Sequence, residues 1–505
     1  MTKVDVAILG GGLAGNLLAR QLRREVPDAS VMIVEQSHER RWKVGESTVE
    51  IASHYLISKQ GLSTYLYDQH LPKNGLRFFF DTERKDAELT TMSEVGTDRP
   101  PPTPSFQLDR ARLEQDLLRM NIEAGVDVRI GAPARALDLE ARTFEVDGQT
   151  VHARWIVDGT GRASTVARAR DLRLPMEEQH PIASVWGRFE GVRDFDAIMD
   201  PAWRGRSRWV ARALSTNHFM YPGYWIWFIP LGRGITSVGV VGEKHVFRRG
   251  IRTPEGFLSF LREHGAVASM IEDAKGLDIE GFTQLAYATK RFFHGGERWA
   301  LLGDAAAFPD PFYSPGSDFI SLECDYTTDL VRRDLAGEDV EDRARTYDAF
   351  MQFRYDATML LYQGLYPCFG SYDLMRVKLN FDLGCYYNLW LDPIAKGDHL
   401  DESFLMKELA RGPETMAALS HFAKLFTRTR EHLSATGAYY ERNQGEFNVG
   451  VDCLRPWLDE VGTPRKRRQI RARTEEVFNY GRREALKLLG EDDGKTLRLD
   501  QFVEG

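Results

Sequence analysis

Short apolar runs alternate with amphipathic stretches through the first third of the chain. Val4-Asp-Val-Ala-Ile-Leu9 reads as a short buried strand, and Leu17, Leu18 and Leu22 recur at helical spacing within residues 16–24. Ser30-Val-Met-Ile-Val-Glu35 reads as a second strand, completing a strand–turn–helix–strand unit. Residues 153–158 and 298–303 have the pattern of further buried strands, and residues 110–124 that of a helix. From about 171 to 290 strand-like segments predominate, among them residues 235–241. Another, YWIWFIP at 224–230, alternates, which sets Trp225 and Trp227 on one face. Beyond 330 the pattern turns helical and aromatic-rich. The pattern predicts an α/β protein with a Rossmann-like nucleotide domain built from residues 1–170 and 291–330. A β-rich domain, 171–290, is inserted in it, and a helical region, 331–505, follows. Residues 99–104, rich in proline, read as a surface linker or loop.

Composition narrows the function classes. With 43% hydrophobic and 28% charged residues, the 505-residue chain has the make-up of a globular protein, not a disordered or coiled-coil one. A net charge of −8 gives no reason to expect nucleic acid as a partner. The basic run at 464–473 reads as a solvated helix face. Cys324, Cys368, Cys385 and Cys453 are widely spaced with no CxxC pair, so neither a metal site nor a disulfide framework is expected. No signal-peptide pattern and no long uncharged apolar run is found, so a cytoplasmic protein with no membrane span is expected.

The candidate chemistry starts at Gly10-x-Gly12-x-x-Gly15, between the first strand and its helix. Gly10 permits the tight turn, Gly12 the close approach of a pyrophosphate, and Gly15 the packing of helix on strand. The helix start at Leu13 and Ala14 offers free N–H groups to the phosphates, and Glu35 can accept from both ribose hydroxyls. Asp158-Gly-Thr-Gly and Gly303-Asp304 follow two more strands, and Asp304 stands where it can accept from the sugar-alcohol chain of a flavin. The order of these three segments resembles the FAD-dependent aromatic hydroxylase superfamily. That resemblance implies that Arg110 reaches the phosphate or ribityl side of FAD; a surface helix N-terminus is the other account of Arg110.

Four further segments resemble the flavin-dependent halogenases, in the branch acting on phenols, pyrroles or carrier-bound aromatics. They are Trp225-x-Trp227-x-Ile229-Pro230; Gly45-Glu46-Ser47-Thr48; Phe308-x-x-Pro311-x-x-Ser314-x-Gly316; and Lys73, which lies 28 residues beyond Gly45. The resemblance implies that reduced FAD, delivered by a separate reductase, reacts with O2 to give a hydroperoxide. Chloride or bromide attacks this to form hypohalous acid, which a tunnel carries to Lys73. Lys73 then aims electrophilic halogen at the substrate, held by hydrogen bonding or as a haloamine. For this its pKa must be lowered by burial. The same resemblance implies that Trp225, Trp227, Ile229 and Pro230 partition flavin from substrate. Gly45, Glu46, Ser47 and Pro311 would join the cofactor site, and Thr48, Gly316 and Ser317 the halide site. Tyr313 and Ser314 would face substrate, which is a small aromatic molecule or one tethered to a carrier protein.

Two departures from the family pattern stand out. Tyr313 replaces the glutamate of tryptophan halogenases, which disfavours free tryptophan as substrate. Pro315 has no N–H and removes one expected halide donor, which leaves an FAD-dependent monooxygenase or dehydrogenase as the alternative. The aromatic stretch from Tyr362 to Phe369 and from Tyr386 to Trp390 lines a pocket, offers a carrier-protein surface or packs on the core, and packing is the simpler expectation.

Overall fold

The computed structural model describes residues 2–39, 41–101, 103–450, 458–491 and 493–502, so Pro102 of the proline-rich stretch and Cys453 lie outside the described residues. The first strand, Thr2–Leu9, is fully buried from Val6 onward. It runs parallel to Val31–Glu35 on one side and Gln149–Asp158 on the other. Asp127–Ile130 and Trp299–Leu301 extend the parallel sheet outward on the two sides. Near-continuous apolar runs are what a sheet covered on both faces requires. Parallel register brings Leu9, Val34, Asp158 and Leu301 to one edge, so the glycine-rich turns open there together.

The second sheet has eight strands, in the order Lys275–Phe282, Ile182–Glu190, Ile235–Glu243, Tyr224–Gly232, Thr216–Tyr221, Leu76–Phe80, Ser93–Gly96, Phe447–Val449. Strands from residues 76–96 and 447–449 thus join those of 182–282. Alternation along Tyr224–Gly232 divides its side chains between two cores. Trp225, Trp227 and Ile229 enter the main one, whereas Tyr224, Ile226 and Phe228 enter a separate cluster with Phe219, Val238 and Val240.

Five long helices, Gly316–Leu335, Glu341–Met359, Tyr372–Cys385, Glu402–Ala435 and Arg467–Leu488, make up most of the C-terminal region. The basic run opens the last of these, with Arg467 and Arg473 paired to Glu408 and Glu460. Cys324, Cys368 and Cys385 are buried free thiols. Among the described residues no helix is long and apolar enough to cross a membrane.

Candidate active site

The glycine turn is built by close contact. A Cβ on Gly10 would stand 2.2 Å from the Gly159 carbonyl oxygen, and one on Gly15 would stand 2.1 Å from that of Gly10. Gly12 faces only the Lys43 ammonium, 3.8 Å from where its Cβ would be. The N–H groups of Gly12, Leu13 and Ala14 make no hydrogen bond with described residues. Glu35 accepts from the N–H groups of Gly11 and Ser37, both at 2.8 Å, which ties the second strand to the turn. Asp158 is spent on its own loop, accepting from Thr160 and Val166. Asp304 is different: its carboxylate accepts nothing from described residues, and burial raises its pKa against the pull of Arg162, Arg110, Arg173 and Lys43. Free N–H groups, four converging cations and one free carboxylate suit a diphosphate and a polyhydroxy chain, as FAD carries.

Arg110 sits at the start of its helix, donating to the carbonyls of Val44 (3.1 Å) and Gly45 (3.3 Å) and to Glu114 (2.6 Å). Gly45 has φ +91°, which favours glycine, and a Cβ there would stand 2.7 Å from the Arg110 guanidinium and push it aside. Glu46 is committed to Arg188 at 2.8 Å. Lys43, Arg162 and Arg173 escaped the sequence reading because isolated cations carry no motif.

Lys73 ends the short strand Leu71–Lys73, which pairs with Ser105–Gln107. A bridge from Ser47 to Gln107 docks the Gly45–Thr48 segment on the same ribbon. Lys73 is buried, and its Nζ donates to the Ser47 hydroxyl and the Thr48 carbonyl, both at 2.8 Å. Desolvation lowers its pKa to about 8, opposed by Glu50 and Asp318. The Thr48 hydroxyl is engaged by Phe106 on both its donor and acceptor sides, and its N–H also bonds the Phe106 carbonyl. Thr48 therefore presents only its carbonyl to Lys73.

Lys73 lines a cavity of about 360 Å³ together with Phe78, Tyr313, Pro315, Asp318 and Arg354. Tyr362, Tyr386, Tyr387 and Trp390 line it too, which corrects the expectation that this aromatic stretch only packs on the core. Buried polar residues stand among them: Asp318, Arg354 and Asp382 line the cavity too, and Lys378 is buried beside Asp382. Arg99, Pro100 and Pro101 also line the cavity, so the proline-rich stretch does more than link elements over the surface. Tyr313 donates to Asp382 at 2.7 Å, and Asp382 is paired with Lys378.

Trp225 and Trp227 stand 5.6 Å apart. Trp225 packs between Phe312 (5.4 Å) and His218 (5.3 Å), and burial lowers the His218 pKa to about 3, so this wall carries no charge at neutral pH. The Trp225 indole N–H reaches the Tyr366 hydroxyl at 3.3 Å, which donates to Asp310 at 2.8 Å; Asp310 also holds His180 at 2.7 Å. Asp310 thus links the 308–316 motif to the tryptophan strand, a role that needs Tyr366 and was not visible in either motif alone. Trp227 donates to Ser237 at 3.1 Å. Ile229 is buried and Pro230 half-buried at the end of that strand, and Pro311 is half-buried beside Asp310.

Ser314 takes a left-handed conformation, φ +57°, and Pro315 caps the helix Gly316–Leu335. The N–H groups of Gly316 and Ser317 make no hydrogen bond with described residues. The nearest side-chain atom to a Cβ on Gly316 would be 4.0 Å away, leaving room for an ion at this helix end.

Comparison with known proteins gives the context. The model of the FAD binding domain matches residues 3–306. The flavin-dependent halogenase chlA of Dictyostelium discoideum is 28% identical over 436 residues, covering 78% of this chain and 71% of the relative. The 1H-pyrrole-2-carbonyl-peptidyl-carrier-protein brominase of Pseudoalteromonas luteoviolacea is 21% identical, covering 79% and 96%. The fold is shared with halogenase PltM, solved in complex with phloroglucinol and FAD, at 19% identity, TM-score 0.68 and coverage of 95% and 96%. The relatives named here are a flavin-dependent halogenase, a brominase and a halogenase solved with FAD, and the chain belongs to the FAD binding domain family.

Proposed function

We propose that this protein is an FAD-dependent halogenase that installs chlorine or bromine on an electron-rich aromatic ring. The observation that carries the reading is Lys73, buried at the end of a short strand beside a cavity lined by aromatic rings, with two of its N–H bonds fixed by Ser47 and Thr48. Its third N–H is left for an oxidant. FAD, when bound and reduced, supplies with O2 the oxidising power that converts halide into hypohalous acid. The Gly12–Ala14 N–H groups hold its diphosphate, the Asp304 carboxylate its sugar chain, and the Gly316 and Ser317 N–H groups the halide. Trp225 and Trp227 keep the substrate ring from the flavin side. Lys73, as an ammonium, hydrogen-bonds the oxidant and protonates the departing oxygen. The substrate is a small aromatic molecule or one tethered to a carrier protein, and a separate reductase supplies reduced flavin.

The test is turnover with a flavin reductase, O2 and bromide, followed by product mass. Replacement of hydrogen by bromine supports the reading; addition of oxygen in a halide-independent reaction rejects it in favour of a monooxygenase.

A further inference from the structure

Two charged side chains in the cavity are left half-satisfied. Asp318 is 1% exposed and Arg354 3%. Asp318 Oδ1 accepts the Ala52 N–H at 2.9 Å and the Tyr386 hydroxyl also approaches the carboxylate, while Oδ2 has no partner within hydrogen-bond geometry. Arg354 Nη2 stands 4.0 Å from that oxygen, and its Nε and Nη1 are unpartnered. The Arg354 guanidinium is held over the Trp390 ring at 4.9 Å and the Phe319 ring at 5.6 Å, so it is positioned by packing. Leaving a buried acceptor and buried donors unpaired costs stability, and both residues line the cavity that contains Lys73. A gap of 4.0 Å is too long for a direct hydrogen bond. An oxygen set to one side of that line reaches both ends at about 2.8 Å.

We infer that Asp318 and Arg354 form a clamp for a phenolic hydroxyl, with Asp318 accepting its proton and Arg354 donating to its oxygen. A phenol is the class that fits because its oxygen both donates and accepts while its ring meets the aromatic wall. A pyrrole N–H donates only, and leaves Arg354 unpaired. The inference rests on the halogenase reading and narrows its substrate class.

The atoms balance with hypohalous acid as co-reactant. The phenol passes its O–H proton to Asp318, and the oxygen electrons move into the ring. The ring carbon bonds the halogen as the halogen–oxygen bond breaks, and the departing hydroxide takes a proton from the Lys73 ammonium to leave as water. Loss of the ring C–H proton to the Lys73 amine restores aromaticity, and Asp318 returns its proton to the phenolate oxygen. The net change is phenol plus hypohalous acid to halophenol plus water.

Desolvation raises the Asp318 pKa to about 7. Arg354 and the Tyr386 hydroxyl favour its charged form, whereas Glu50 opposes it, and the Lys73 ammonium faces it from the strand side. Asp318 accepts a proton only when ionised, so phenol turnover should fall as pH drops below about 7.

The test compares the FAD-loaded wild type with Asp318→Asn and Arg354→Gln. Dissociation constants for 4-methylphenol and its methyl ether, 4-methylanisole, are measured by calorimetry, with flavin absorbance checking that each variant still holds FAD. Wild type should prefer the phenol, and each substitution should reduce that preference about tenfold or more, the value of one hydrogen bond to a charged group. In turnover of 4-methylphenol, Asp318→Asn should also lose the acidic limb of the kcat/KM profile. Equal affinity of wild type for phenol and ether, or binding of neither, overturns the clamp. So does a parallel loss for both ligands with an unchanged pH profile, or a 4-methylphenol complex in which only water bridges the two residues. Binding needs neither halide nor reduced flavin, so a clamp that passes while no bromination occurs rejects the halogenase reading alone. Bromination of a pyrrole but not a phenol rejects the clamp alone.

Discussion

Lys73 and Asp318 are two buried groups whose pKa values are displaced toward each other, to about 8 and about 7. Such convergence is how one cavity holds an acid and a base near neutral pH. Halogenation that needs the Lys73 ammonium should fall as pH rises through about 8, giving with Asp318 a narrow bell-shaped profile that steady-state rates over a pH series would reveal. If activity instead climbs above that value, Lys73 works as a free amine. Lys73→Met should lower turnover at least about a hundredfold while flavin absorbance shows FAD still bound. The signs for stability are opposite to those for activity. The folded protein binds more protons at Asp318 than the unfolded chain does, so stability is lost as pH rises from the ordinary carboxylate value toward about 7. Asp318→Asn should therefore raise the melting temperature of FAD-free protein by about 1–2 °C above pH 7 and give no gain near pH 4, which calorimetric scans can check. A site held at the expense of stability is the usual sign of function.

At the scale of elements, the strand Tyr224–Gly232 and the helix Gly316–Leu335 set the two halves of the site. Trp227 fits against Ile235–Glu243 only because residue 239 is glycine: a Cβ there would stand 2.3 Å from the Trp227 ring. Gly239→Ala should displace Trp227, destabilise the protein by about 1–3 kcal/mol in urea titrations, and raise the share of O2 released as peroxide. At the helix, Pro315→Ala restores an N–H beside those of Gly316 and Ser317. Bromide should then half-saturate turnover at a lower concentration; an unchanged or higher value would remove this helix end from the halide site. The glycine turn and the alternation of the tryptophans were legible in sequence because each is a local pattern, whereas Lys73, held by Ser47 and Thr48 and paired with Ser105, was singled out only through the family resemblance. Glu46 and Thr48 were not legible in this way, because their partners Arg188 and Phe106 come from distant segments. Arg354, Tyr386 and Trp390 could not be assigned to a cavity from sequence, since amphipathic helices carry the same residues whether they face a core or a chamber.

Across the whole molecule, the parallel sheet carries the glycine-rich turns, the mixed sheet carries the two tryptophans, and the C-terminal helices supply part of the cavity wall. Four strands of the parallel sheet, those near residues 4–9, 30–35, 153–158 and 298–303, and the strand-rich middle were readable from periodicity alone. Recruitment of residues 76–96 and 447–449 into the second sheet was not, because pairing between segments so far apart leaves no local trace. A single strand–glycine–helix unit of this kind was found in the sequence. NADPH added without a reductase should accordingly leave the bound flavin oxidised, whereas adding a flavin reductase should support turnover; reduction by NADPH alone would count against a two-component system.

The cavity wall draws on several distant stretches of chain. Lys73 hangs on a three-residue strand clipped to Ser105–Gln107, and Gly75, Leu76 and Phe78 just beyond it line the wall as well, whereas Thr358, Leu379, Leu383 and Trp390 project from helices after residue 340 and Leu361 from the turn after Met359. Much of the wall that would shape the chamber therefore lies on backbone remote from the lysine ribbon. For redesign this is a separable architecture: new ring shapes can be accommodated by replacing Leu361, Leu379 or Leu383, with the lysine ribbon left untouched.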